Sequence, residues 1–91
     1  MAAAASESDI LVRALRYLAK DNWSAAHELV QDLESPLACW MHGLAHRIQG
    51  DLENSRYWYR KAGATAMLWS AQNVEIQIRE LQRLLDQTAG R

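Results

Sequence analysis

Three side chains that can ligate a metal ion recur at helical spacing in the middle of the chain. Cys39, His42 and His46 follow one another at intervals of three and four residues, so a helix would place them along one face. Two histidines four residues apart can share one metal ion, and a thiolate one turn earlier can add a ligand. His27, on the preceding predicted helix, is the candidate for completing such a set.

Two other interpretations of these residues stay open. In one, Cys39 packs as a small apolar side chain and each histidine hydrogen-bonds a carbonyl or carboxylate group. In the other, the three histidines form a polar ligand pocket with Glu28 or Asp51 nearby. Packing is favoured, because histidine pairs at this interval are common and no glutamate accompanies them as in zinc peptidases. We therefore expect no metal ion or other cofactor, with the metal site as the alternative.

No arrangement typical of an enzyme accompanies these residues. The acidic pairs Glu7 with Asp9 and Asp51 with Glu53 fall at predicted helix starts, where carboxylates cap the helix and stabilise its dipole. The serines have no evident general base, and no glycine-rich phosphate loop follows a strand. The sequence therefore favours a protein without catalytic activity.

The apolar spacing predicts an all-α fold. Helices are expected over about 8–20 and from Trp23 onward, then over 36–49 after the Ser35-Pro36 start signal, and from Leu52 until Gly63. They form two antiparallel hairpins, residues 8–34 and 35–63, and residues 1–7 are expected to be disordered. The inward-facing residues of the fourth helix are expected to be Leu52, Ser55, Trp58, Tyr59 and Ala62.

The last segment admits two interpretations. Residues 74–79 alternate as a strand would, but a lone strand would have no partner in a helical chain. A longer window instead shows an apolar seam at spacings of three and four. The seam predicts one closing helix over 65–87 that covers the open end of the second hairpin. Its residues are Met67, Ala71, Val74, Ile78, Leu81 and Leu85.

The large aromatic residues divide into two groups. Trp23, Trp40 and Trp58 lie on the stripes that a hairpin core requires. Tyr57 and Trp69 lie off these stripes, which is typical of a contact surface. With Ile76 and Leu84, which lie off the main seam, Trp69 is expected to form an exposed apolar patch.

A pattern repeat at an offset of 29 residues places the first hairpin on the second. In the second hairpin, Gly43, Gly50, Tyr59 and Ala62 stand at the spacings of a small residue, a turn glycine, an aromatic residue and an alanine. This stretch resembles a tetratricopeptide or Sel-like helical repeat, which implies a stack of paired helices. Cys39 and Ser55 depart from that pattern, and the first hairpin follows it poorly.

The chain is also similar to small bacterial proteins with no established activity, a resemblance that implies a fold without a function. The shared short motifs are Ala26-His27, Val30-Gln31, His46-Arg47, Gly50-Asp51 and Tyr57-Trp58-Tyr59.

Composition limits the remaining classes. The 91 residues allow one domain, and a net charge of −1 gives no electrostatic signature for binding nucleic acid or a membrane surface. A single cysteine cannot form an internal disulfide, and the N-terminus lacks the features of a secretory signal. The expected location is the cytoplasm.

These patterns together predict a small helical scaffold that binds another protein chain or a second copy of itself. Two repeats are too few to bury their own core, so the closing helix is expected to cap them, and the exposed patch of Trp69, Ile76 and Leu84 is the expected contact site. The alternative is a protein that binds a small ligand or a metal ion through His27, His42 and His46.

Overall fold

The computed structural model describes residues 5–89, and the side chains of residues 5–87. This part of the chain contains six helices and no strand, so the predicted all-α fold is confirmed. In chain order the helices are α1 Glu7–Ala19, α2 Trp23–Val30, α3 Pro36–Gln49, α4 Leu52–Ala62, α5 Ala64–Trp69 and α6 Val74–Ala89.

Side-chain caps define where the first four helices begin. The side chains of Ser6, Asn22, Ser35 and Asp51 each accept a hydrogen bond from a backbone N–H three residues later, at 3.1 to 3.3 Å. These bonds satisfy donors that an uncapped helix would leave without partners. Pro36 takes the first position of α3, where its missing N–H costs nothing.

The start of the chain is more ordered than predicted. Residues 1–4 lie outside the described residues, but Ser6 caps α1 and Glu7 is its first residue. The disorder expected over residues 1–7 is therefore wrong for its last two residues. The helix begins here because Ser6 accepts the backbone N–H of Asp9, and because Glu7 and Asp9 place negative charge in the first turn.

The single closing helix predicted over 65–87 is also wrong, because two helices, α5 and α6, occupy this segment. Asn73 ends the break between them, since its Oδ1 accepts the backbone N–H of Ile76 at 2.9 Å. The Arg47 guanidinium holds the break in place by donating to the carbonyl oxygens of Ser70 at 3.0 Å and Gln72 at 2.7 Å.

The helices pack in sequence, and then the chain turns back. Helix α1 contacts α2, α2 contacts α3 and α3 contacts α4, whereas α6 returns to lie against α1 and α3. The closing segment was expected to cover the open end of the second hairpin. Its first part, α5, does contact α4, but α6 packs mainly against α1. Leu81 and Leu85 of the predicted seam are fully buried, but Met67 is 44% exposed because it belongs to the separate helix α5.

Helix α3 forms the centre of the fold. Its residues from Ala38 to His46 are all buried, as expected for a helix covered on more than one side. Gly43 allows α4 to approach, since a Cβ atom there would lie 3.1 Å from the backbone oxygen of Ser55. On α4, Ser55, Tyr59 and Ala62 face inward as predicted.

Leu52 is the exception on α4. It was expected to face inward, but it is the first residue of its helix and is 55% exposed. None of the helices within residues 5–89 combines the length and the apolar character that crossing a bilayer requires.

Candidate metal-binding site

Three histidine side chains converge between α2 and α3. His42 and His46 lie one turn apart on α3, and the packing of α2 on α3 brings His27 against both. Each of the three offers one ring nitrogen such that these atoms all lie within 4.8 Å of one another. The structure therefore brings together the three histidines that the sequence grouped.

The three rings contact one another directly. The His27 ring meets His42 edge-on with a centroid separation of 4.6 Å, and it meets His46 edge-on at 5.0 Å. The His42 and His46 rings are stacked with centroids 5.0 Å apart. Three imidazoles at this separation can turn their nitrogens towards one point by small side-chain rotations.

Neighbouring side chains shield most of the three-histidine cluster from water. His42 is only 3% exposed and His46 is 9% exposed, whereas His27 is half-buried. The Trp58 indole of α4 lies flat against the His42 ring, with centroids 3.7 Å apart and planes 12° from parallel. His27 is therefore the side through which an ion would enter.

The surroundings keep two of the imidazoles neutral. Burial is the largest cause that lowers the pKa of His42 to about 4, and the neighbouring His27, His46 and Lys61 contribute to the same shift. The pKa of His27 is lowered by burial and by His46, against a smaller opposing effect of Glu28. A neutral imidazole has the free lone pair that a metal ligand needs.

His46 and His42 differ in the hydrogen bonding of their Nδ1 atoms. Nδ1 of His46 lies 2.8 Å from Oε1 of Gln49, a contact that fixes the ring and leaves its other nitrogen available. Nδ1 of His42 is buried and has no hydrogen-bond partner among the described residues. Leaving a buried polar atom without a partner costs about 1–3 kcal/mol of stability. Packing alone therefore does not explain why His42 lies here.

The three-histidine site suits a first-row divalent transition-metal ion better than calcium or magnesium, because its ligand atoms are imidazole nitrogens rather than oxygens. Tetrahedral zinc with bonds of 2.0–2.1 Å would need nitrogens about 3.4 Å apart. A separation of 4.8 Å would have to close by about 1.4 Å, so at least one of the three side chains must move when an ion binds.

Cys39, Glu28 and Asp51 do not belong to this group. Cys39 is fully buried elsewhere on α3, and burial raises the pKa of its thiol. Glu28 is exposed beside His27. Asp51 is engaged as the cap of α4, where its Oδ2 accepts the Asn54 side-chain amide at 2.7 Å. The ligand set within the described residues is therefore the three histidines.

The apolar patch predicted around Trp69 is wrong. Trp69 is half-buried and stacks on Trp40 with centroids 6.3 Å apart, and Leu84 also packs against the core. Ile76 is half-buried as well. Tyr57 is exposed as expected. The most exposed large apolar side chains of the described chain are instead Leu52, Tyr57, Met67 and Leu68.

Sequence reasoning missed three supporting residues. Trp58 was expected only in the core, and Gln49 was given no role although it follows His46 by one helical turn. Gln77 is completely buried beneath α3. Its spacing of four residues from Leu81 was a signal that it shares the buried face of α6.

No family model, no curated protein and no solved structure matches this chain.

Proposed function

We propose that the protein binds one divalent transition-metal ion of the zinc class through His27, His42 and His46. The observation that carries the proposal is the buried Nδ1 of His42, which has no hydrogen-bond partner while two other imidazoles lie against its ring. The packing interpretation expected every histidine to find a carbonyl or carboxylate partner. His42 does not meet that expectation.

The chemistry of the site supports a partly open coordination sphere. Three imidazoles supply three of the four ligands of a tetrahedral ion, and no fourth ligand among the described residues lies within their group. A fourth position of this kind is taken by water or by a small ligand. Burial by Trp58 on one side leaves the His27 side as the open face.

A titration with Zn²⁺ tests the proposal. One equivalent should bind in calorimetry, and an excess of 100 times the dissociation constant should stabilise the fold by about 2.7 kcal/mol. In a domain of this size that raises the melting temperature by about 10 °C or more. Co²⁺ in place of zinc should give the visible absorption of a tetrahedral ion.

Matched variants identify the ligands. His27→Gln alters the most accessible of the three histidines and should remove zinc stabilisation with little effect on the metal-free protein. Glu28→Gln changes the neighbouring exposed residue and should leave zinc binding intact. A melting temperature that does not respond to zinc, or responds equally in His27→Gln, would overturn the proposal.

Protein interaction is a second candidate, supported by the exposed apolar side chains of α5. Leu68 is 78% exposed and Met67 beside it is 44% exposed, and apolar surface of this kind marks contact sites when it is contiguous. A symmetric dimer is the commonest assembly for a soluble chain. The resemblance of residues 43–62 to helical repeats supports the same scaffold function.

Sedimentation at increasing protein concentration tests this second candidate. Leu68→Lys should abolish self-association, whereas Thr65→Lys, at an exposed position of the same helix, should not. A wild-type chain that stays monomeric across the whole concentration range would contradict self-association.

A further inference from the structure

A second candidate site is lined by residues of α3, α4 and α5, and none of the three proposed metal ligands is among them. A cleft of about 250 Å³ opens between the end of α3, one side of α4 and α5. Three arginines line it, Arg47, Arg56 and Arg60, and its lining contains no acidic residue. A chain with a net charge of −1 thus concentrates three positive charges around one cleft.

These arginines have no carboxylate partners. The ion pair found in the described part of the chain joins Arg83 to Glu80 on α6, remote in sequence from the cleft. Arg47 is held by two carbonyl oxygens of the α5–α6 break, while Arg56 and Arg60 are exposed one turn apart on α4. The guanidinium groups of Arg56 and Arg60 can bind an anion from solution, and Arg47 adds a third positive charge beside them.

The other polar groups of the cleft already donate elsewhere. The hydroxyl of Ser55 donates to the carbonyl of Gly43 at 2.8 Å, and that of Tyr59 donates to Gln77 at 2.6 Å. Ser70 donates to the carbonyl of Met67 at 2.6 Å. Recognition by hydroxyl donors, as a neutral sugar would need, is therefore disfavoured, and Arg56 and Arg60 remain as the exposed donors.

Apolar side chains border the charged part of the cleft. Leu52 is 55% exposed and Met67 is 44% exposed, and both line the opening. The volume equals that of about eight water molecules, which limits a ligand to one small organic group. A lining of arginines and apolar side chains suits a ligand that has an anionic end and a short apolar end.

We infer that this cleft binds a small phosphate monoester, its phosphate held by Arg56 and Arg60 beside the charge of Arg47 and its organic group against Leu52 and Met67. A phosphate monoester carries a charge of about −1.5 to −2 at pH 7 and presents three acceptor oxygens, which suits two exposed guanidiniums and a third positive charge next to them. A carboxylate carries one charge and leaves at least one guanidinium without an anionic partner.

The test uses phenyl phosphate as the probe, with binding followed by amide chemical shifts of α4 and α5 in low-salt buffer. Saturable binding is expected at residues around the cleft, and it should weaken as salt is added because the contacts are ionic. Inorganic phosphate and benzoate, which each lack one half of the probe, should both bind at least tenfold more weakly.

Variants separate the cleft from general attraction of anions. The double variant Arg56→Gln/Arg60→Gln should weaken phenyl phosphate binding at least tenfold, and Arg13→Gln, an exposed arginine on α1, should not change it. Neither variant should alter the response to zinc, so this inference and the metal proposal fail independently. Unsaturable shifts, equal affinity for benzoate, or an unchanged affinity in the double variant would overturn the inference.

Discussion

The side-chain oxygen of Gln77 on α6 lies 2.9 Å from the indole Nε1 of Trp40 on α3 and accepts its hydrogen bond. The same oxygen accepts a second bond from the Tyr59 hydroxyl at 2.6 Å, and the amide nitrogen of Gln77 donates to the carbonyl of Gln72 at 2.9 Å. Gln77 is completely buried. One polar side chain therefore joins α6 to both α3 and α4 inside the core.

Replacing Gln77 with leucine should lower the free energy of unfolding by about 2–5 kcal/mol. The volume is nearly kept, but the Trp40 and Tyr59 donors lose their acceptor, and each buried donor without a partner costs about 1–3 kcal/mol. Urea unfolding measures the change. Gln87→Leu, at an exposed position of the same helix, is the control and should be close to neutral.

A double-mutant cycle sharpens this prediction. Tyr59→Phe removes one donor, so it should cost less in the Gln77→Leu background than in the wild type. Equal costs in the two backgrounds would mean that the 2.6 Å contact contributes nothing measurable to stability.

The first four helices were predictable because their boundaries are encoded locally. Ser35 with Pro36 opens α3, and Gly50 ends it with a backbone φ of 95° that glycine adopts without strain. The break before α6 was missed because the apolar spacing continues through it. Asn73 supplies the cap that separates the helices, and a heptad pattern carries no information about capping.

The candidate metal site was predictable only in part. Helical spacing alone brings His42 and His46 to one face, but the approach of His27 depends on how α2 packs against α3. The missing partner of His42 Nδ1 is a property of the whole environment, since it depends on every group within reach of one atom. The cleft arginines likewise come from two helices.

Gly43→Ala should destabilise the fold by about 1–3 kcal/mol through overpacking. The added Cβ would lie 3.0 Å from Cδ2 of Tyr59 and 3.1 Å from the backbone oxygen of Ser55, and a backbone atom cannot rotate away. Alanine recovers up to about 1 kcal/mol of helix propensity, which is too little to offset the clash. Thermal unfolding of the alanine and valine variants should show stepwise losses, and a more stable alanine variant would contradict the close approach.

Arg47→Met should loosen the break between α5 and α6. It removes two hydrogen bonds from a charged donor to the Ser70 and Gln72 carbonyls while keeping most of the aliphatic side chain. We expect a loss of about 1–3 kcal/mol in stability and faster amide exchange over residues 70–76. Arg13→Met on the exposed face of α1 should change neither, and unchanged exchange in Arg47→Met would show that Asn73 alone fixes the break.

Stability should fall as the pH is lowered from about 6.5 to about 4 because of His42. Its folded pKa of about 4 lies below its ordinary value of 6.5, so the unfolded chain binds the proton more tightly throughout this window. The free energy of unfolding that His42 contributes is fully present above pH 6.5 and is lost as the pH approaches 4. It amounts to about 2 kcal/mol after allowance for solvent screening, and the lowered pKa of His27 acts in the same direction.

Trp58→Leu tests the cause of this pH dependence. The indole covers the His42 ring at a centroid distance of 3.7 Å, so a smaller side chain should admit water and raise the His42 pKa towards 6.5. Titration of the His42 ring proton by NMR measures the pKa directly, and urea unfolding at several pH values should show a shallower loss of stability in acid. Trp23→Leu, which removes an indole from a different helix, should leave the titration unchanged. A His42 pKa that is the same in Trp58→Leu and the wild type would show that the surrounding positive charges, rather than the indole, keep this imidazole neutral.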